Sequence, residues 1–323
     1  MMSIRSAFRL ATALSLTTLV STVQAFPTQP IRLVVPYPAG GGTDIMARLL
    51  VEPMREALGQ PVIVENRPGA GGAVGAAEVA RAAPDGHTLL LTAAAFVIAP
   101  SVLARSPYDP VKDFVGVAQI AIVPLILLSR PESPLKNLGD LLQQARKDDS
   151  RVTFASFGNA TPSHLVGESI NQLGRVRMTH VPYRGGAAAL PDILSGQVDV
   201  ALLDAVSMTP QVQAGRLKAL AVTGPARLPA LPEVPTLVEQ GIAFDGVGWH
   251  AAFAPMGTPA HVLERLNTAF IRALARPEIR ERIVNGGSVP IEPALSATEW
   301  TALYRRQVDQ WAEVARRGNI KAD

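Results

Sequence analysis

Apolar and polar positions in this chain change period several times. Between residues 31 and 92, three short apolar runs (31–37, 62–64 and 88–92) read as buried strands, and stretches at helical spacing separate them. The first such stretch, 43–58, carries Ile45, Met46, Leu49, Leu50, Met54 and Leu58 along one stripe and stops at Gly59. The second, 72–82, is Ala-rich and ends at Pro84-Asp85-Gly86. Short strands alternating with helices predict parallel pairing and an α/β sheet.

The run 115–129 is almost wholly apolar and contains Pro124, which predicts a strand leaving one lobe for the next. After a polar helix at 138–147 the alternation restarts. Strands are predicted at 152–157, 178–183, 198–204 and 217–223, with helices at 163–173, 187–194 and near 209–214. A Pro-rich connector, 225–235, leads to a second apolar crossing at 246–255. The remainder reads as helical over 259–275, 277–284 and 296–317, the last with Trp300, Leu303, Tyr304, Val308, Trp311 and Val314 on one side. Two crossings between two α/β units predict a discontinuous first lobe, with both crossings acting as a hinge.

Two of the predicted strands run straight into small-residue loops that open helices. The first loop is Pro38-Ala39-Gly40-Gly41-Gly42-Thr43-Asp44 and the second is Gly158-Asn159-Ala160-Thr161-Pro162. Glycine lets the backbone approach a ligand closely, and a helix start has unpaired N–H groups and partial positive charge, so each loop can cradle an anion. Each is equally compatible with an ordinary βα turn capped by Thr43, Asp44 or Thr161. Asp44 reads better as a cap and orienting group than as a ligand contact, since it would repel a bound carboxylate. Asp204 ends an apolar strand on the same predicted sheet edge, or simply terminates it.

Composition narrows the class. Arg5 and Arg9 precede an uncharged run, 10–23, that ends in Val23-Gln24-Ala25, and no acidic residue appears before Asp44. This pattern predicts a secretory signal peptide over 1–25, because the run is too short and too rich in Ser and Thr to span a bilayer. Without Arg5 and Arg9 the chain has 28 basic and 27 acidic residues and no basic block, which argues against nucleic-acid binding. Zero cysteines remove thiolate catalysis, Fe–S clusters and Cys-ligated zinc.

Enzyme motifs fail one by one. The chain contains no Gly-Lys-Ser/Thr tripeptide for a P-loop. Gly69-Ala70-Gly71 puts its third glycine, Gly75, one position late for a dinucleotide fingerprint, and Gly40/Gly42 is followed by Ile45. The nearest nucleophile elbow, at Ser156, has Phe154 where glycine is needed. His87, His164, His180, His250 and His261 show neither i, i+4 spacing nor H-E-x-x-H, so no metal or cofactor is expected. An exported hydrolase or isomerase using Asp44, Asp204 or His164 as acid/base stays open at this point, as does a binding module that only senses.

Several ordered motifs carry a family resemblance. Ile31-Arg32-Leu33-Val34-Val35-Pro36 leads into Gly40-Gly41-Gly42-Thr43-Asp44 and is followed by Val64-Glu65-Asn66-Arg67-Pro68-Gly69-Ala70-Gly71-Gly72 and Ala83-Pro84-Asp85-Gly86. Lys112-Asp113-Phe114, His180-Val181-Pro182-Tyr183-Arg184-Gly185-Gly186 and Ala219-Leu220-Ala221-Val222-Thr223 come after. Over residues 27–320 the chain resembles the Bug-type receptors of tripartite tricarboxylate transporters.

The resemblance implies a periplasmic binding protein of type II with two α/β lobes around a cleft: 26–124 with 253–323, and 125–252. It implies capture of a small mono- or dicarboxylate by hinge closure and delivery to membrane permease subunits, with a sensor protein as a further partner and the receptor a monomer. Carried over by motif, the ligand-binding positions are Tyr37, Pro38, Ala39, Gly40, Gly41, Thr43 and Asp44 in the first lobe. In the second they are Ser156, Gly158, Asn159, Ala160, Thr161, His164 and Asp204. Family members commonly have Ser-x-Gly-x-Gly-Thr in the second loop, where this chain has Ala160 and then Pro162 after Thr161. This departure, the apolar segment 93–100, and Ala205-Val206 after Asp204 point to a ligand with an apolar body.

Overall fold

The computed structural model describes residues 26–147, 151–183, 185–244 and 246–321, so the expected signal peptide lies outside the described residues. The first apolar run forms strand β1 (Ile31–Val35), and the striped stretch after it forms helix α1 (Gly42–Leu58), ended by Gly59 at φ 74°. The chain continues through β2 (Val62–Asn66), α2 (Ala73–Ala80), β3 (Thr88–Ala93) and α3 (Ala95–Val102). The alternation did not predict α3. Phe96, Val97 and Ile98 are all buried in the core, and a helix covered on most sides shows no amphipathic period. The apolar character of 93–100 therefore belongs to the core and is no argument for an apolar ligand.

The expected long crossing strand is broken at Pro124, which has no N–H to give a sheet, into β4 (Phe114–Val123) and β5 (Leu125–Ser129). Next come α4 (Leu138–Ala145), β6 (Thr153–Ser156), α5 (Pro162–Gly174), β7 (Thr179–Pro182), α6 (Gly186–Ser195), β8 (Val200–Asp204), α7 (Ala205–Gln213) and β9 (Lys218–Val222). The return crossing is β10 (Gly248–Pro255), followed by α8 (Ala260–Leu274), α9 (Pro277–Asn285), β11 (Val289–Pro290) and α10 (Ala297–Arg317).

Two mixed sheets result, in the orders β11-β4-β10-β3-β1-β2 and β7-β6-β8-β5-β9. Pairing is parallel where helices connect the strands, as in β1–β2, β1–β3, β6–β7 and β6–β8. It is antiparallel wherever a crossing strand enters: β10 against β3 and β4, and β5 against β8 and β9. The all-parallel expectation fails there because a strand arriving from the other unit enters its sheet reversed.

Register shows where the two sheets meet. Val123, the last residue of β4, pairs with Gly248, the first of β10, and Leu125, the first of β5, pairs with Asp204, the last of β8. One residue, Pro124, thus joins the carboxyl edges of the two sheets, and its carbonyl accepts from Ala205 N–H at 3.0 Å. Loops at the carboxyl ends of parallel strands are where open α/β sheets bind ligands, and here both sets face one seam.

The long helix α10 fastens the units behind that seam. Its stripe is as expected, with Trp300, Tyr304 and Trp311 fully buried. Tyr304 donates to Phe114 O of β4, and Trp311 meets Phe244, from the connector after β9, edge-on at 5.4 Å. One apolar cluster therefore runs from β1 and β3 through α10 to α5.

Candidate functional site

The first loop leaves β1 and starts α1 without a side-chain cap, because the N-cap is Gly41. Gly40, at φ 82°, turns the chain where an L side chain would be strained. The amides of Gly42, Thr43 and Asp44 have no intrahelical acceptor, so the start of this 17-residue helix keeps its donors and its positive end. Pro38, Ala39, Gly40 and Gly41 are exposed, and Thr43 is buried.

Asp44 frames this loop from inside. Its Oδ2 accepts from Gly40 N–H at 2.8 Å and Arg48 Nε at 2.9 Å, and its Oδ1 accepts from Asn66 Nδ2 at 3.0 Å. The Arg48 guanidinium, with help from Gly40 and Asn66, overcomes burial and holds the carboxyl down at about 2. Asn66 also donates to Tyr37 O at 3.1 Å, having been brought there by its pairing with Val35. Tyr37 points its hydroxyl at Thr92 Oγ1, 3.2 Å away, and its ring lies over Gly72, where any Cβ would crowd it at 3.2 Å.

The second loop spends most of its donors internally. Ser156 Oγ donates to Gly158 O, as does Thr161 Oγ1, and Asn159 Nδ2 donates to Lys321 O. Gly158 N–H goes to Ser156 Oγ, and Ala160 N–H goes to Asn159 Oδ1 and His164 Nδ1. Thr161 caps α5 with Pro162 as its first residue, and Ala160 sits in the left-handed region at φ 54°. These bonds close the loop on itself, and Ala160 and Pro162 add backbone restraint to it.

Beneath it, His164 and His180 stack with ring centroids 3.6 Å apart, and Phe154 stacks on His180 at 5.0 Å. Burial pushes both imidazoles down to about 4; His164 adds to the effect on His180. His180 Nε2 lies 2.6 Å from Ser156 Oγ, the spacing of a nucleophile and its base. Ser156 is fully buried, and its hydroxyl also reaches Gly158 O at 2.9 Å, so the pair ties the loop to β7.

The stack makes stability depend on acid. Both imidazoles titrate lower in the folded chain than in the unfolded one, so their contribution is complete above about 6.5 and is lost as pH falls towards about 4. Protonation would also turn His164 Nδ1 into a donor facing the Ala160 N–H. Glu168, 3.9 Å from His164 Nε2 and raised by burial, works weakly in the opposite sense. Thermal melts should show Tm falling between pH 6.5 and 4.5, with a smaller fall in a His164→Gln/His180→Gln double variant.

Asp204 caps α7, accepting from Ser207 N–H at 2.9 Å and Ser207 Oγ at 2.7 Å. Beside it, α6 starts without a side-chain cap after Gly185, at φ 99°, and a Cβ on Gly186 would lie 3.7 Å from Asp204 Oδ2. Sequence reading singled out α5 in this unit, yet the uncapped helix start here is α6. The signal was present in Gly185-Gly186 after a strand, which is the reasoning applied to the first loop. Asn66 and His180 carry no local signal of a role, since their partners Asp44 and Ser156 lie 22 and 24 residues away.

Two α/β units whose carboxyl edges meet across a one-residue crossing, with glycine-started helices on the seam, define a two-lobe solute-binding protein of the periplasmic type II class. The chain belongs to the family described as tripartite tricarboxylate transporter family receptor, whose sequence profile matches residues 46–320. It is 38% identical over 308 residues to a UPF0065 protein encoded in the tcbD-tcbE intergenic region of Pseudomonas sp. (strain P51), covering 94% of this chain and 91% of that one. Among solved structures, MatC from Rhodopseudomonas palustris with bound malate is 34% identical, with TM-score 0.73 over 90% of this chain and 99% of that one. An R. palustris protein with adipate is 30% identical, with TM-score 0.75 over 92% and 99%. Family and fold are those of solute receptors rather than enzymes.

Proposed function

We propose that this chain is a periplasmic receptor that captures a small organic carboxylate between its lobes and delivers it to membrane permease subunits, without chemical turnover. The carrying observation is the start of α1, where a glycine cap leaves three amides and the helix's positive end at the seam between the two sheets. Malate and adipate on the two R. palustris relatives supply the ligand class. Residues 26–124 and 248–323 form one lobe and 125–247 the other. In this reading the return crossing enters the first lobe through β10, whose pairing with β4 begins at Gly248.

In this reading Tyr37, Pro38, Ala39, Gly40, Gly41 and Thr43 face the ligand and Asp44 frames them. Ser156, Gly158, Asn159, Ala160, Thr161 and His164 shape the opposing wall, with Asp204 and the start of α6 beside them. Closure turns about the two adjacent crossings and excludes water from the carboxylate, which strengthens hydrogen bonds made by fixed dipoles. The monomer is exported by a cleaved leader over residues 1–25.

A thermal-shift screen of mono- and dicarboxylates, followed by mass spectrometry of the added acid, tests this. A bound acid at a hundred times its Kd stabilises the protein by about 2.7 kcal/mol and is recovered intact. No shift with any acid, or a new product, would refute capture without turnover.

A further inference from the structure

α10 is rooted in the first sheet and ends beside the second unit. In its first half Thr301 Oγ1 accepts from Gly116 N–H of β4 at 3.0 Å, and Gln307 Oε1 accepts from Trp249 Nε1 of β10 at 2.6 Å. In its last turn Val314 O accepts from Gln172 Nε2 of α5 at 3.4 Å. The helix then closes on itself. Asn319, at φ 49°, donates its N–H to Arg316 O, and Ile320 N–H donates to Ala315 O, so a left-handed residue stops the helix and satisfies two of its last carbonyls. Asparagine tolerates that position better than most residues with a side chain.

That turn aims the chain at the second loop. Ile320 is buried in the same apolar cluster that Ala160 packs against. Lys321 O then accepts from Asn159 Nδ2 at 3.0 Å, across 162 positions of sequence. Asn159 uses the other end of its amide on Ala160 N–H, at 3.1 Å. Ala160 is itself left-handed at φ 54°, a conformation that is costly for alanine and persists only where neighbours hold it. His164 holds it from one side, and the chain end, through Asn159, holds it from the other.

We propose that residues 319–321 are a positioning strap for the second wall of the ligand site: Ile320 seats the chain end, and Lys321 O fixes Asn159 and, through it, the left-handed turn at Ala160. The inference rests on the capture reading above and adds to it a route by which a helix rooted in the first lobe sets a loop of the second. The strap acts without touching the ligand. It restricts the loop to one conformation beforehand, which reduces the ordering entropy lost when an acid binds. Thermodynamic reciprocity then requires the bound acid to tighten the strap.

The test combines hydrogen exchange over 157–162 with isothermal titration of malate, succinate and adipate. The proteins are wild type, Ile320→Ser, Ile320→Leu, Asn159→Ala, the Ile320→Ser/Asn159→Ala pair and Leu303→Ala. Leu303 packs on the same cluster from the first-sheet half of α10, so its variant weakens the helix and leaves the strap intact. In the free protein Ile320→Ser should speed exchange over 157–162 by about 3- to 10-fold, the worth of one hydrogen bond, with Ile320→Leu and Leu303→Ala close to wild type. Any acid that wild type binds should bind Ile320→Ser about 3- to 30-fold more weakly, the range for residues that act on a site through others. The pair should fall within about twofold of its weaker single variant, because both break one contact. Adding the acid to wild type should slow exchange over 313–321. Exchange over 157–162 that rises equally in Leu303→Ala, or losses of affinity that add in the pair, would overturn the strap and leave Ile320 a packing residue. Unchanged exchange and affinity in Ile320→Ser would overturn it outright. If wild type binds no acid in the panel the capture reading fails, and exchange in the free proteins still decides whether the chain end holds the loop.

Discussion

Replacing Asp44 with alanine is expected to destabilise the protein by about 1–3 kcal/mol and to abolish carboxylate binding, because Gly40 N–H and Asn66 Nδ2 lose a shared acceptor, Asn66 keeping only Tyr37 O. The exposed Arg48 adds little, since a solvated i, i+4 ion pair contributes only a few tenths of a kcal/mol. The loss of binding follows from geometry. Asp44 ties Gly40 to α1, so without it the loop no longer presents the uncapped helix start in one conformation. Urea denaturation gives the first quantity and calorimetric titration the second. The sign of the pH dependence is also determined. Asp44 titrates at about 2 when folded, below its ordinary 3.8, so its contribution is present above 3.8 and disappears as pH falls towards 2. The gap in stability between wild type and Asp44→Asn should therefore narrow over that interval, and a constant gap would show that the carboxylate is not the frame of the loop.

Gly287→Val should weaken ligand binding at least tenfold while leaving the cores of both units folded. Gly287 follows α9 on the first-sheet side, has φ 73°, and packs against the start of α7 on the second-sheet side. A Cβ there would lie 2.4 Å from Val206 Cα and 2.8 Å from Val206 N, atoms that no rotamer change can move. Left-handed strain in a β-branched residue and overpacking together cost about 2–4 kcal/mol. The clash lies between the two units, so parting them relieves it and the penalty falls on the packed arrangement of Gly287 against α7. Small-angle scattering should report a larger radius of gyration with unchanged helix content. Gly59→Ala is the matched control, with φ 74° and open space around the added Cβ, and should cost about 1 kcal/mol without changing affinity. Equal loss of binding in both variants would show that backbone strain, rather than contact between the lobes, is responsible.

Much of the architecture is legible in local pattern. The apolar stripe of α1, its stop at Gly59, the aromatic side of α10 and the doubled strand–helix alternation all depend on residues within a few turns of one another. Pro124 marks the outward crossing, since a residue without an N–H interrupts a strand wherever it falls. The glycine start of α1 is visible for the same reason, because turn chemistry is local. Helix α3 is not visible in this way, since burial on most sides erases its period.

The working state of the candidate site was decided elsewhere. Ser156, Asn159 and Thr161 look like donors awaiting a ligand, yet Gly158 O and Lys321 O take their protons. Asp44 becomes a brace only because β1 and β2 pair in the register that brings Asn66 beside it. His250 looks like any other histidine until two antiparallel pairings bury it between Ala93 and Ala121. Periodicity and turn residues are local properties, so the chain alone specified most of the elements, the doubled α/β alternation and the loop that opens α1. Which polar atoms are spent and which are left unpaired depends on strand register and packing between segments up to about 200 residues apart, and only the folded structure supplies that.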